Sequence, residues 1–472
     1  MSWKHADFIL GGLDLNAPGG DYVVTAFEEM TSPKEVIWGS GDVTHEGRAR
    51  GDVGYPNKTF TLTLSIRPQD DTSSLETCLR DLYDVITAVD DEENTVWFVH
   101  RPAADATWTT TRQIRVLHAD GLVPTDQKMW KSRHLSAIEL RLECEPAWRG
   151  TETTIVDGVT IHNANDDTRD NYVDISNLVP GDLPALARIE CLSLDGNFTA
   201  WRIAVATGNA PPCLEWESLS GSWGAQANDA SCSGGKRRDF SSCTTDWQSC
   251  GQMTFTTVGN FGLYRLFARV YDEAAAGGNL YLRARWGITS TANNPPEADS
   301  EVIGDQVQVR PTRYNTALDI NGQIWVDLPL GSADFRYNTW YIDSRRPAYF
   351  SIKLEAKRTS GTEGLRIDRL YLMPLDEAYC FVGRTAGLSY AGETLRVSSI
   401  ADKAYLLDSS GYIRLFPPVE GQLIKLAPTP DIGTVRLYFL WEEQYPPTQS
   451  VIQSGGIDRR MTVTVVIVPR YL

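Results

Sequence analysis

The sequence lacks the residue groupings on which most catalysis depends. Its six histidines, His5, His45, His100, His118, His134 and His162, occur singly, with no HExxH, no HxH and no His/Cys grouping. No sequence pattern marks a zinc site. It has no GxSxG elbow, no Walker loop and no GxGxxG after a strand, so the common nucleophile, nucleotide and dinucleotide sites are missing. The eight cysteines, Cys78, Cys144, Cys191, Cys213, Cys232, Cys243, Cys250 and Cys380, include no CxxC pair, and they read as reduced thiols. No apolar run approaches the roughly 18 residues of a membrane span. Asp7, Gly11 and Gly12 stand where a signal peptide needs an unbroken apolar core, so neither export nor membrane insertion is expected. Positive charge is also scarce. Against 61 Asp and Glu there are 44 Lys and Arg, for a net charge of −17. A nucleic-acid grip needs clustered cations to displace counterions, so no specific nucleic-acid partner is expected.

What is present is strand. The 472 residues exceed one ordinary core and call for several domains. Thr59 to Ile66 alternates Phe60, Leu62, Leu64 and Ile66 with hydroxyl residues, the period of a half-buried strand. Ile138 to Cys144 repeats it, as do Tyr264 to Tyr271, Leu280 to Trp286, Tyr349 to Lys357, Leu365 to Leu372, Thr434 to Trp441 and Met461 to Val468. Gly, Pro, Asn and Asp clusters separate them, as in all-β sandwiches and barrels. One helix breaks the pattern. From about Ser73 to Val89, Leu75, Leu79, Leu82, Tyr83 and Ile86 recur at helical spacing, and Ser73 with Glu76 reads as a capping box.

These patterns divide the chain into three parts. Residues 1–150 form an α+β unit that closes at Glu145-Pro-Ala-Trp-Arg-Gly150. Residues 151–375 hold a polar linker followed by a sandwich with a Ser/Gly-rich loop at 230–238. Residues 376–472 form a small C-terminal β domain. The acidity lies early, since residues 1–150 carry 15 basic and 24 acidic residues.

Several motifs admit two readings. Glu215/Glu217 and Glu143/Glu145 would lie on one strand face and could serve as a glycosidase dyad, or arise by chance in so acidic a chain. Asn163 to Asp167 begins like a calcium loop, but Thr168 occupies the position that an EF-hand turn reserves for glycine, which favours a solvated loop. Asn57-Lys-Thr59 and Asn197-Phe-Thr199 match glycosylation sequons, which carry no meaning without export. Seven of the fourteen tryptophans lie between Trp201 and Trp340, where indoles either fill a core or stack on sugars. The strand period puts Arg265 and Arg269 on one side of the first Arg-rich strand and Tyr281, Arg283 and Arg285 on one side of the second. If the two strands pair, these five residues make one Arg/Tyr binding face; otherwise the residues belong to an ordinary solvated face or a subunit contact. With Leu266, Ala268, Val270, Leu282 and Ala284 turned to the core, replacing Arg269 and Arg283 by alanine is expected to leave folding intact. No catalytic residue, metal ligand or cofactor site is identified.

The strand Phe60 to Ile66, the helix after Ser73 and the stretch Leu140-Arg-Leu-Glu-Cys-Glu-Pro-Ala-Trp-Arg149 resemble the ring domain of distal tail proteins from long-tailed bacteriophages. Gly181-Asp-Leu-Pro-Ala-Leu-Ala-Arg-Ile-Glu190, the Ser-Gly-Gly loop and Tyr264 to Val270 are similar to the galectin-like or carbohydrate-module-like part of such proteins. Ile367 to Pro374 and Val463 to Tyr471 resemble phage minor tail proteins. The resemblance implies a mainly β chain with a barrel-like ring domain bearing one helix, a jelly-roll sandwich and a small C-terminal β domain. It implies a non-enzymatic structural protein of the virion tail, assembled in the host bacterial cytoplasm as a homohexameric ring. The partners it implies are the tail tube, the tape measure and the hub, with host surface glycans for the sandwich. An acidic lumen would pass DNA by repulsion. The alternatives from other classes are a tail-associated polysaccharide-degrading glycosidase and a free carbohydrate-binding protein.

Overall fold

The computed structural model describes residues 7–30, 35–38, 50–54, 56–69, 74–89, 95–101, 112–121, 134–162, 171–175, 179–194, 198–207, 213–215, 224–228, 236–240, 243–256, 263–272, 279–292, 294–298, 300–309, 326–334, 349–361, 364–375, 378–382, 391–428, 435–443 and 460–471. Among them the chain is mainly β, with several antiparallel sheets and one helix, Leu75–Val89. It divides into two compact units. One comprises residues 1–153, 180–185 and 468–472, and the other residues 154–179 and 186–467.

The first unit is built on an antiparallel sheet whose strands follow the order Tyr22–Met30, Lys58–Ile66, Leu135–Cys144, Arg112–Gly121, Trp97–Arg101 and Asp7–Leu10. Alternation decides its faces. Phe60, Leu62 and Leu64 are buried while Thr59, Thr61 and Thr63 between them are only half-buried. The sheet curls, since Phe8 on Asp7–Leu10 and Phe27 on Tyr22–Met30, at opposite ends of this order, bring their rings to 5.2 Å. Phe60, Phe98, His100 and Trp148 complete this aromatic core. Burial pushes the His100 imidazole below its ordinary pKa, and its Nδ1 lies 3.1 Å from the Asp7 carbonyl oxygen.

The helix turns Cys78, Leu82 and Ile86 into that core. Its N-cap is Ser74, one residue later than the sequence suggests. The Thr77 backbone N–H donates to Ser74 Oγ at 3.0 Å, so Thr77, not Glu76, occupies the third helical position; Ser73 lies outside the described residues. Ser74→Ala is expected to destabilise the first unit by about 1 kcal/mol, measured by chemical denaturation, whereas the same change at exposed Ser410 should have a smaller effect.

The second unit contains a sandwich. One sheet orders Gln248–Thr256, Tyr349–Arg358, Leu280–Thr289 and Val302–Ile303, with Val307–Val309 also paired to Leu280–Thr289. The facing sheet orders Ala225–Asn228, Lys236–Phe240, Leu365–Pro374, Leu263–Asp272 and Val326–Asp334. Leu266, Ala268 and Val270 from one sheet share a core with Leu282, Ala284, Ile352 and Leu354 from the other, as the period-two pattern of each strand requires.

A third sheet, ordered Tyr172–Ile175, Val435–Glu443, Phe198–Thr207, Ala378–Val382 and Val419–Gly421, packs on this sandwich. Its Ala204, Tyr438 and Leu440 bury Phe267, Tyr371 and Met373, which point away from the sandwich core. The strands of residues 376–472 find partners throughout the chain. Thr394–Ser398 pairs with residues 188–192, and Val435–Glu443 pairs with Phe198–Thr207. In the first unit, Tyr471 and Arg470 stand opposite Trp148 and Arg149, and the Arg112 guanidinium stacks on the Tyr471 ring at 3.9 Å. The final segment thus completes sheets begun far earlier, because a strand satisfies its backbone only through a neighbour.

Candidate binding face

The five residues of the expected Arg/Tyr face occupy two sheets. Leu263–Asp272 pairs with Val326–Asp334 and Leu365–Pro374, whereas Leu280–Thr289 pairs with Tyr349–Arg358. Since their apolar sides meet in one core, their polar sides point in opposite directions. The structure keeps Tyr281, Arg283 and Arg285 together and separates them from Arg265 and Arg269.

The side carrying Arg265 and Arg269 lies in the layer against which the third sheet packs. Arg265 is exposed, with its guanidinium 6.0 Å from the Tyr379 ring. Arg269 is 13% exposed and pairs at 3.5 Å with Asp368, which is fully buried. Asp368 sits at a register shift in Leu365–Pro374, and Arg369 Nε lies 3.9 Å from the same carboxylate. The pairing of Arg269 with a buried carboxylate argues against the expectation that its truncation leaves folding intact.

The other side forms an ordered grid. Register places Tyr281 opposite Lys357, Arg283 opposite Glu355 and Arg285 opposite Lys353. Ser249 lies beyond Glu355 and Gln252 beyond Lys353. Just before that strand, half-buried Trp247 lies 4.6 Å from Lys357 Nζ and 4.2 Å from the Arg283 guanidinium. Lys357 Nζ is also 5.8 Å from the Tyr281 ring. The first row of the grid therefore reads aromatic, cation, aromatic.

Glu355 organises the centre. It accepts from Arg283 Nε at 2.8 Å and from Arg285 Nη1 at 3.2 Å, and Lys353 Nζ lies at 3.0 Å. Arg285 also donates to Glu301. Burial works against ionisation of Glu355, but the hydrogen bonds from Arg283, Lys353 and Arg285 outweigh it and hold the carboxyl below its ordinary pKa of 4.5. A folded-state pKa below the unfolded one contributes stability above the unfolded value, and that stability is lost as pH falls through the folded value. Wild-type protein is accordingly expected to be more stable than Glu355→Gln at pH 7, with the difference shrinking as pH drops below about 4.5. Denaturant midpoints measured across that range check the sign; a difference that widens in acid contradicts it.

Sequence reasoning missed Trp247, Lys353, Glu355 and Lys357. The alternation of Lys353, Glu355 and Lys357 was legible, but the register that sets them against the arginines was not. Of the seven tryptophans in this region, Trp201 and Trp286 are buried, Trp247 is on the grid, and Trp216, Trp223, Trp325 and Trp340 lie outside the described residues. So do the calcium-like stretch 163–170, Asn197 and Glu217, while the side chain of Glu215 is likewise not described. Glu143 accepts from Asn57 Nδ2 at 2.8 Å, and both Glu145 oxygens are held by Arg149. Among the described residues no cluster of His, Cys, Asp or Glu could hold a metal, and no helix is long and apolar enough to cross a membrane. Cys78, Cys144, Cys191, Cys243, Cys250 and Cys380 are buried free thiols; burial raises the Cys380 thiol to about 12.

No protein-family model matches this sequence, and no curated protein matches it. Solved structures do. The chain is similar to the Dit (gp 19.1) protein of phage SPP1, described as a paradigm of the hub adsorption apparatus in phages that infect Gram-positive bacteria, with 9% identity, 99% of this chain and 100% of that one covered, and a TM-score of 0.36. It is similar to a chain of the phage p2 baseplate in its activated conformation, with 11% identity, 74% and 98% covered, and a TM-score of 0.21. A third similarity, to a chain of infectious bursal disease virus, has 7% identity, 68% and 81% coverage and a TM-score of 0.17.

Proposed function

We propose that this chain is a non-enzymatic structural subunit of a bacteriophage tail tip, forming a sixfold ring between the tail tube and the tip hub. The observation that carries the reading is the make-up of the first unit. Lys58–Ile66, the helix Leu75–Val89 and Leu135–Cys144 running into Trp148–Arg149 are the stretches whose sequence resembles the ring domain of distal tail proteins. They share one core. Head-to-tail contacts between identical subunits generate closed rings when the rotation closes, and the excess of acidic residues over 1–150 suits a lumen that passes DNA without holding it. Tube, tape-measure and hub proteins are the partners of such a ring. The sandwich within 151–375 serves as a lectin-like module for adhesion or docking, with Tyr281, Arg283 and Arg285 on its outward side.

The test is the mass of the native assembly together with its location. A particle six times the 52.5 kDa chain mass, and antibody labelling at the tip of purified tails, are the expected results. A chain that remains monomeric inside virions, or that is absent from tails, overturns the reading.

A further inference from the structure

The grid on the sandwich has a charge opposite to that of the chain that carries it. Among the described residues, Arg283, Arg285, Lys353 and Lys357 face the carboxylates of Glu355 and Glu301, so described cations exceed described carboxylates on this face while the whole chain is at −17. The four cations are not equivalent. Arg283, Arg285 and Lys353 are bound by Glu355. Lys357 has no carboxylate partner among the described residues, and its ammonium lies near the Trp247 and Tyr281 rings.

We propose that the row Trp247, Lys357, Tyr281 binds a carboxylated polysaccharide, with sugar rings lying on the two aromatic side chains and a sugar carboxylate meeting Lys357. This rests on the reading of the sandwich as an adhesion module and names the ligand class of that face. Three features support it. Aromatic faces give large contact area at small conformational cost. A cation held near ring faces is kept in place by their quadrupoles while remaining open to an anion. Glu355 holds Arg283 beside Trp247, and Lys357 stands outside that ion-pair cluster. The charge complementarity specifies an acidic glycan over a neutral one. Trp247 and Lys357 are the specificity-determining pair, and Glu355 is a positioning residue.

The experiment uses the full chain in affinity electrophoresis through gels containing polygalacturonate or dextran, with Trp247→Ala and Lys357→Gln as variants. The wild type is expected to be retarded by polygalacturonate and not by dextran, the retardation weakening with added salt because exposed charges are screened. Each variant should lose affinity at least tenfold with an unchanged melting temperature. Trp247→Ala removes no charge, so its loss separates a built site from ion exchange. Retardation lost in Lys357→Gln but kept in Trp247→Ala overturns the proposal, as does equal retardation by dextran or wild-type behaviour of both variants. A change in oligomeric mass without a change in polygalacturonate binding assigns the face to contacts between copies and also overturns it. Tail labelling is scored in parallel: polygalacturonate binding that depends on both residues, in a chain absent from tails, supports this site and refutes the tail reading.

Discussion

Replacing Arg269 with alanine is expected to destabilise the second unit by about 3–5 kcal/mol, the range for breaking a buried ion pair from one side. Asp368 is fully buried, with Arg269 Nε at 3.5 Å and Arg369 Nε at 3.9 Å. Removing the guanidinium at the shorter of these two distances takes away part of the compensation of a carboxylate in a site from which water is excluded. The third sheet adds to the effect, because Phe267, two residues from Arg269, is packed beneath Tyr438 and Leu440. Chemical denaturation measures the loss. Asp368→Asn in the Arg269→Ala background should recover part of it, since the buried negative charge is then gone. A single-variant loss below about 1 kcal/mol, the surface-pair range, would show that Asp368 does not depend on Arg269.

Phe60→Ala should cost the first unit about 3–5 kcal/mol. Phe60 is fully buried, with its ring 5.8 Å from Phe27, 5.4 Å from Phe98 and 5.3 Å from Trp148. Truncation opens a cavity at the centre of this aromatic cluster, where the curled sheet cannot collapse without moving several paired strands. In a chain of two units unfolding need not be two-state, so calorimetry is the suitable measurement. The expected result is a lowered transition for the first unit with the transition of the second retained. A uniform shift of all transitions would mean that the two units unfold together. Phe60→Leu, which keeps most of the volume, should cost substantially less.

The sequence by itself determined the elements and their inward sides. Period-two runs such as Phe60 to Ile66 and Leu280 to Trp286 can bury only one side, and the helix over Leu75–Val89 follows from the spacing of Leu75, Leu79, Leu82 and Ile86. That Leu266, Ala268 and Leu282 turn inward while Arg265, Arg283 and Arg285 turn away from the sandwich core was legible for the same reason: side-chain alternation is a local property of extended backbone.

Which strands become neighbours is not local. The two Arg-rich strands carry the same pattern, and nothing in either states whether they share a sheet or face each other across a core. Only the tertiary structure decided that they face each other, which separates Arg269 from Arg283. It also decided that Trp247 and Lys357, more than a hundred residues apart in sequence, meet at 4.6 Å. Likewise the period of Phe267 and Arg269 marks a surface, but not whether another sheet will cover it. The reason is physical: alternation fixes which way a side chain points, while register and layering are set by backbone pairing and packing between segments far apart in the chain.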